Sequence, residues 1–168
     1  MAIERRRVRT GGRWAAALLL ALAACRATPP SAFETALASA VKRRLTVRGA
    51  SDRNPLPPTE ENVRAGQRAF AGYCHACHGL DGQNTGVPFA SAMSPPVPSL
   101  SSPAVQAYTD GQLKWVIENG LYPSGMPAAR GILADEEIWR IVVFLRHLPP
   151  AGSLGEPAAY GGGPPPSP

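Results

Sequence analysis

The residues best suited to chemistry in this chain form the run Cys74-His75-Ala76-Cys77-His78. Two thiols three positions apart can each form a thioether with one vinyl group of a haem. The histidine that follows the second thiol can then bind the iron as an axial ligand. This Cys-x-x-Cys-His pattern is typical of c-type haem attachment. The sequence therefore predicts one covalent haem c, held by Cys74 and Cys77, with His78 on the iron.

Three other interpretations of the run are a redox dithiol, half of a zinc site and a chance occurrence. A redox dithiol is expected beside a strand–helix–strand pattern, which the sequence does not show. A zinc site needs further ligands at short spacings, whereas the cysteine and histidine outside the run are Cys25 and His147. Haem attachment is the interpretation that the sequence favours.

The first 24 residues have the pattern of an export signal. Five arginines precede an apolar run over residues 14–24, which is too short to span a bilayer and suits a signal peptide. The run ends in Leu22-Ala23-Ala24-Cys25, which resembles the lipobox of bacterial lipoproteins. The resemblance implies cleavage before Cys25, lipidation of its thiol, and a membrane anchor in the bacterial cell envelope that faces the periplasm. The alternative is an ordinary secretory signal that leaves Cys25 free.

The positive charge of the chain belongs mostly to this signal. The full sequence has 17 basic and 12 acidic residues, and residues 1–25 hold five of the basic ones and one acidic one. The mature chain is therefore close to neutral. Its composition gives no support for a nucleic-acid partner.

Residues 25–58 are predicted to be an anchor and tether. Phe33, Leu37, Val41 and Leu45 recur at a spacing typical of an amphipathic helix over 33–47. The basic residues on or after this helix would lie on anionic lipid, or would face solvent while the helix packs on the next domain. The second arrangement is favoured. At the other end, the Gly- and Pro-rich composition of residues 149–168 predicts a disordered tail.

Residues 59–148 predict a domain of three helices. The first begins after Thr59 and leads into the Cys-x-x-Cys-His run. The second begins at Thr109-Asp110-Gly111-Gln112, which has the pattern of a capping box, and ends at Gly120. The third begins at Asp135 and ends before Pro149. The first two helices are separated by a Gly- and Pro-rich loop, whose length is explained if it wraps around a haem edge.

From residue 54 to residue 148 the chain resembles the class I cytochromes c. The likeness rests on Gly66, Phe70, the run extended to Gly79 and Asp81-Gly82, Pro98-Ser99-Leu100, Trp115 to Gly120, Ser124-Gly125-Met126-Pro127-Ala128, and Trp139 to Phe144. It implies an all-α fold in which the first and last helices cross at Gly66. It also implies that Pro98 and Leu100 are among the haem-binding residues, and that the Pro98 carbonyl accepts the Nδ1 proton of His78.

The same resemblance implies that Met126 is the second axial ligand of the iron. Met93 is predicted to pack at a haem edge or lie at the surface. His75 is an inner residue of the Cys-x-x-Cys-His run and faces away from the iron. His147 ends the last helix, where a cation suits the negative helix end.

A His/Met pair leaves no open coordination position, and thioether ligation favours ferrous iron. The sequence therefore predicts a membrane-tethered carrier of single electrons between exported or membrane redox proteins. It predicts neither catalytic residues nor a small-molecule substrate. One alternative is a fixed haem relay in a periplasmic dehydrogenase or oxidase complex. Another is a haem sensor or peroxidase, which requires a labile Met126.

Overall fold

The computed structural model describes Val41, residues 46–122 and residues 124–161. All of these belong to one unit, residues 38–168, and the unit of residues 1–37 lies outside the described residues. The predicted signal and Cys25 are therefore not described. Of the helix predicted over 33–47, Val41, Thr46 and Val47 are described; Val41 and Thr46 are helical, and Val47 is not.

The described part of the chain contains six helices and no β-strand. They are α1 (Glu60–Tyr73), α2 (His75–His78), α3 (Pro103–Gln106), α4 (Asp110–Asn119), α5 (Asp135–Leu145) and α6 (Ala158–Gly161). None of these helices has both the length and the apolar character needed to cross a membrane. The predicted all-α fold is confirmed.

Local sequence explains where the three main helices begin. The Thr59 side chain caps α1. At α4 the predicted capping box is formed: Thr109 Oγ1 accepts from the Gln112 N–H at 3.2 Å, and Gln112 Oε1 accepts from the Thr109 N–H at 3.1 Å. At α5 only half of such a box exists, because Ala134 has no side-chain acceptor. There the Glu137 carboxylate accepts from the Ala134 N–H at 2.8 Å.

The crossing of α1 and α5 brings the two backbones into direct contact. A β-carbon at Gly66 would lie 2.6 Å from the Arg140 carbonyl carbon and 3.0 Å from Phe144 Cβ. Only glycine allows this approach. The Phe70 and Phe144 rings meet beside it, with centroids 5.2 Å apart, and both are almost fully buried. The predicted crossing at Gly66 is confirmed.

The main core lies where α1, α4 and α5 meet. Its buried members are Phe70, Leu113, Ile117, Ala129, Ile138, Trp139, Ile141, Val142, Phe144 and Leu145. The third predicted helix is apolar nearly all round because most of its side chains are buried here. Helix α5 therefore forms the centre of the unit, with α1 and α4 packed around it.

Arg146 fixes the end of α5 to the end of α3 and the start of α4. Its Nε donates to the Asp110 carboxylate at 2.9 Å, and its Nη1 donates to the Gln106 carbonyl at 3.0 Å. The planar guanidinium can make these bonds together because its donors point in fixed directions. The C-terminus of α5 is thereby held against the end of α3 and the start of α4.

Residues 46–58 differ from the predicted tether because they pack on the helical domain. Val47 is buried, and the Asn54 side-chain amide donates to the Trp139 carbonyl at 3.0 Å. A β-carbon at Gly111 would lie 2.6 Å from Asp52 Cβ, so this segment lies directly against the start of α4. Packing through a close approach to a glycine does not require a periodic pattern of apolar residues. The composition of residues 46–58 therefore resembles that of a spacer, although the segment is packed on the domain.

Residues 149–161 differ in a similar way from the predicted disordered tail. Pro157 is almost fully buried, and the Tyr160 ring meets Phe89 edge-on at 5.7 Å between centroids. The Gln83 side-chain amide donates to the Pro149 carbonyl at 2.7 Å. The segment is held largely by polar contacts with the preceding loop, which composition does not reveal. Residues 162–168 lie outside the described residues.

Replacing Gly66 by alanine should lower the free energy of unfolding by about 1–3 kcal/mol or more, because the new methyl group overlaps the α5 backbone. Gly72 is the matched control: it lies in the same helix, and a β-carbon there meets no atom within 4 Å. Gly72→Ala should stabilise the protein by about 0.5–1 kcal/mol. Denaturant unfolding followed by circular dichroism measures both. The crossing assignment fails if Gly66→Ala is as stable as Gly72→Ala.

Candidate functional site: the haem-attachment turn

The Cys-x-x-Cys-His run forms a helical turn directly after α1. The N–H groups of Cys77 and His78 approach the Cys74 carbonyl at 3.2 and 3.1 Å. In a helix, residues three and four positions apart share a face. The two thiols and the His78 imidazole therefore lie on one side of the turn, and both thiols are free. This face presents two thiols and an imidazole, the groups that the sequence predicts will attach a haem c and bind its iron.

Burial and the neighbouring Cys77 raise the pKa of Cys74 to about 12. Because the thiolate is the reactive form of cysteine, Cys74 is an unreactive thiol in the folded polypeptide.

The His78 ring is buried, with 9 % of the residue exposed. Burial lowers the pKa of this imidazole, and the Pro98 carbonyl acts in the opposite direction. The ring is consequently neutral near pH 7, which is the form that binds a metal. Its Nδ1 atom is buried and makes no hydrogen bond of normal geometry with the part of the protein that is described. The Pro98 carbonyl thus interacts with the ring, but the predicted Nδ1 bond is not fully formed.

Asn84 connects the end of the motif to the segment that carries Pro98. Its N–H donates to the His78 carbonyl at 2.8 Å, and its side-chain amide donates to the Val97 carbonyl at 2.8 Å. The residue has a φ of 64°, a left-handed conformation that asparagine adopts more readily than most side chains. Because Val97 immediately precedes Pro98, this clamp (Asn84 with the His78 and Val97 carbonyls) sets the spacing between His78 and Pro98.

The buried side chain of Asp81 stabilises the loop that contains Asn84. Its side chain has no exposed surface, and its carboxylate accepts from the Gln83 N–H at 2.8 Å, from Thr85 Oγ1, and from the Gly152 N–H at 2.7 Å. Burial acts to raise the pKa of Asp81, but these hydrogen bonds outweigh it and the pKa is lowered. The carboxylate is therefore ionised at neutral pH and its hydrogen bonds are charge-assisted.

Met126 lies in a short turn between α4 and α5. The Leu121 N–H donates to the Met126 carbonyl at 3.1 Å, and the Ala129 N–H donates to the Ile117 carbonyl at 3.0 Å. Gly120 has a φ of 69°, and a β-carbon there would lie 2.5 Å from the Met126 carbonyl oxygen. The Met126 side chain is partly buried against the core. The turn is therefore fixed to α4 on both sides of the methionine.

One hydrogen bond joins this turn to the haem-attachment turn. The Tyr73 hydroxyl donates to the Ala128 carbonyl at 2.9 Å. Tyr73 immediately precedes Cys74, and Ala128 follows Met126 by two residues. The structure thus brings the first attachment cysteine and the Met126 turn together, although they are far apart in the sequence.

The other candidate ligands occupy different positions. The Met93 methyl carbon would lie 3.6 Å from a β-carbon at Gly125, so Met93 lies beside the Met126 turn. His147 Nδ1 lies 2.8 Å from the Val143 carbonyl at the end of α5.

Pro98 and Leu100 follow the Asn84 clamp. Pro98 is exposed, whereas Leu100 packs against the main core. The Leu100 N–H donates to the Gly82 carbonyl at 2.8 Å. The loop therefore folds back so that both residues lie close to the attachment turn.

The chemistry of these groups fits a covalent haem. Among the described residues, no cluster of three or more cysteine, histidine, aspartate or glutamate side chains is arranged to hold a metal ion. The site offers two free thiols, a buried neutral imidazole, and a thioether in the adjoining turn. Thiols form the covalent links of haem c, and a His/Met pair is a known axial ligation of its iron.

A comparison with protein families matches residues 61–145, about half of the chain, to the family described as cytochrome c oxidase, cbb3-type, subunit III. The chain belongs to this family. It therefore contains a c-type cytochrome domain, which binds haem and transfers electrons. A search of curated proteins gave no match. The matched region begins within α1 and ends with α5, so residues 46–58 and 149–161 lie outside it.

Sequence reasoning missed the residues that position the site. Asn84 lies in a polar, glycine-containing loop, and its positive φ is a known preference of asparagine. Asp81 was noted only as part of the resemblance, and its burial depends on a segment about seventy residues later. The Tyr73 hydroxyl reaches the Met126 turn, a contact between residues that are distant in the sequence.

Replacing Asn84 by alanine should lower the free energy of unfolding of the haem-loaded protein. The loss combines about 1 kcal/mol for the side-chain hydrogen bond with about 1–2 kcal/mol for a left-handed alanine. Asn84→Gly removes the side chain without the backbone penalty, so its loss should be smaller. Denaturant titration measures both variants. Wild-type stability in Asn84→Ala would show that the clamp does not hold the loop.

Proposed function

We propose that the chain is a membrane-tethered monohaem cytochrome that carries single electrons between exported or membrane redox-partner proteins. When bound, the haem supplies a one-electron couple between ferric and ferrous iron. In this proposal the haem-binding residues are Cys74, Cys77, His78, Pro98, Leu100 and Met126, of which His78 and Met126 are the axial ligands.

The observation that carries the proposal is the hydrogen bond from Tyr73 to Ala128. It holds the Met126 turn next to the helix that ends at Cys74. A nitrogen ligand and a sulfur ligand are thereby provided by two elements that are held side by side. The two elements are far apart in the sequence, and nothing in the composition of the chain requires them to lie side by side. Their proximity therefore supports a His/Met site.

The rigidity of the Met126 turn supports a carrier rather than an enzyme. Backbone hydrogen bonds fix the chain at Met126 and again at Ala129, and the side chain packs against the core. A ligand held in this way keeps the sixth coordination position closed. Substrates and oxygen are then excluded from the iron, which disfavours the sensor and peroxidase alternatives.

A second candidate function is a fixed haem relay within an oxidase complex. The family description names subunit III of a cbb3-type cytochrome c oxidase, and this observation favours the relay over a freely diffusing carrier. Purification from detergent-solubilised membranes separates the two functions. A relay subunit remains in constant proportion with oxidase subunits through successive columns, whereas a carrier separates from them.

The anchor is proposed from the sequence alone. Residues 1–24 would be removed as a signal, and Cys25 would carry the lipid that holds the protein at the periplasmic side of a membrane. The segment from residue 46 onward packs on the helical domain. The free tether between lipid and domain would therefore be confined to the residues that precede this segment.

Met126→Ala should abolish the weak sulfur-to-iron absorption band that ferric His/Met cytochromes show near the red end of the visible spectrum. The reason is that the variant lacks the thioether ligand. Met93→Ala is the matched control, since Met93 lies beside the same turn and its variant should keep the band. Spectra of the two purified haem-loaded variants decide the assignment. If the band is lost in Met93→Ala and kept in Met126→Ala, the sulfur ligand is Met93 and the assignment of Met126 is wrong.

Cys25→Ala should block lipidation and cleavage of the signal while leaving the haem domain intact. Each buried CH₂ of a lipid chain contributes about 0.8 kcal/mol, so two or more chains hold a protein firmly. Wild-type protein should be released by detergent but not by high salt. Mass spectrometry of the mature N-terminus provides the direct check. An unmodified Cys25 thiol would rule out the lipid anchor.

A further inference from the structure

The segment 149–161, here called the strap, lies against the haem-attachment turn and the loop that follows it. The Tyr160 hydroxyl donates to the carbonyl of Ala76, between the two cysteines, at 3.1 Å. The Gly152 N–H donates to the Asp81 carboxylate at 2.7 Å. A β-carbon at Gly86 would lie 2.6 Å from Glu156 Cβ. These contacts are spread along the strap, so it is fixed at several points.

The strap is not part of the family domain, which ends at residue 145. Its composition provides few apolar side chains, and one of its attachments is the buried carboxylate of Asp81. That carboxylate also accepts from the Gln83 N–H and Thr85 Oγ1. One charged group therefore joins the strap to the loop, and removal of any partner leaves a buried charge less well satisfied.

The loop held by Asp81 is the same loop that fixes His78. The Gly82 N–H donates to the Gly79 carbonyl at 3.3 Å, and the Asn84 N–H donates to the His78 carbonyl at 2.8 Å. Asp81 lies within the turns that both bonds close. A shift of Asp81 would therefore be transmitted to the backbone of His78.

We propose that the strap braces the loop behind His78, with Asp81 and Tyr160 as positioning residues for the axial histidine. The proposal rests on the proposed role of His78 as iron ligand. Asp81 joins the strap to the loop, and Tyr160 joins it to the attachment turn.

The test uses the full-length haem-loaded protein with Gly152→Pro and Tyr160→Phe. Gly152→Pro removes the strap's donor to Asp81 without altering the loop itself, and Gly152 has a φ of 75° that proline cannot adopt. Tyr160→Phe removes the hydroxyl and keeps the ring on Phe89. Ser153→Ala is the control, because Ser153 is exposed and bonds only within the strap, to the Pro150 carbonyl.

Gly152→Pro should keep the covalent haem and lose hydrogen-exchange protection in peptides that cover both residues 149–161 and residues 76–85. Its midpoint potential should fall, because water reaching the loosened loop favours ferric iron. The electron paramagnetic resonance spectrum of the ferric protein should broaden as the histidine geometry becomes variable. Tyr160→Phe should show the same changes to a smaller extent, and Ser153→Ala should match the wild type.

Loss of protection confined to residues 149–161, with an unchanged potential and spectrum, would overturn the proposal, because the strap would then be packed on the surface without positioning His78. Hydrogen exchange does not depend on the haem role. If wild-type protein carries no covalent haem, the proposed function fails. In that case, unchanged hydrogen-exchange protection of residues 76–85 in Gly152→Pro would separately overturn the proposal that the strap braces the loop.

Discussion

The backbone contact between α1 and α5 at Gly66 is the constraint on which the remaining structure depends. Helix α1 runs directly into the attachment turn, so its position fixes Cys74 and the residues that follow. Helix α5 holds α3 and the start of α4 through Arg146, and the end of α4 holds the Met126 turn. The close approach of α1 and α5 therefore helps to position both elements that carry the proposed ligands.

Much of the fold could be predicted from sequence, because its signals are local. The capping box at Thr109 and the acidic first turn of α5 mark the helix starts directly. Gly66 could be assigned to a helix crossing because it is one of the residues that resemble those of the class I cytochromes c. The order of the helices follows from short stretches of chain, and in these stretches the sequence prediction and the structure agree.

The additions to the family domain could not be predicted, because they are held by contacts between distant residues. The strap depends on a carboxylate about seventy residues earlier, and the segment before α1 depends on the backbone approach at Gly111. Both segments have the Gly- and Pro-containing composition of a linker. This composition is compatible with close packing of the backbone as well as with disorder. The link from Tyr73 to the Met126 turn is equally non-local. It is the contact that relates the two proposed ligands.

The central claim is that Cys74 and Cys77 together carry one haem, which His78 binds from the same helical turn. Mass spectrometry of the purified wild-type protein, digested under denaturing conditions after treatment with a thiol-alkylating reagent, tests it most directly. The account predicts that the peptide containing residues 74–78 carries the added mass of one haem and that neither of its thiols is alkylated. A peptide without haem, alkylated at both cysteines, would contradict it.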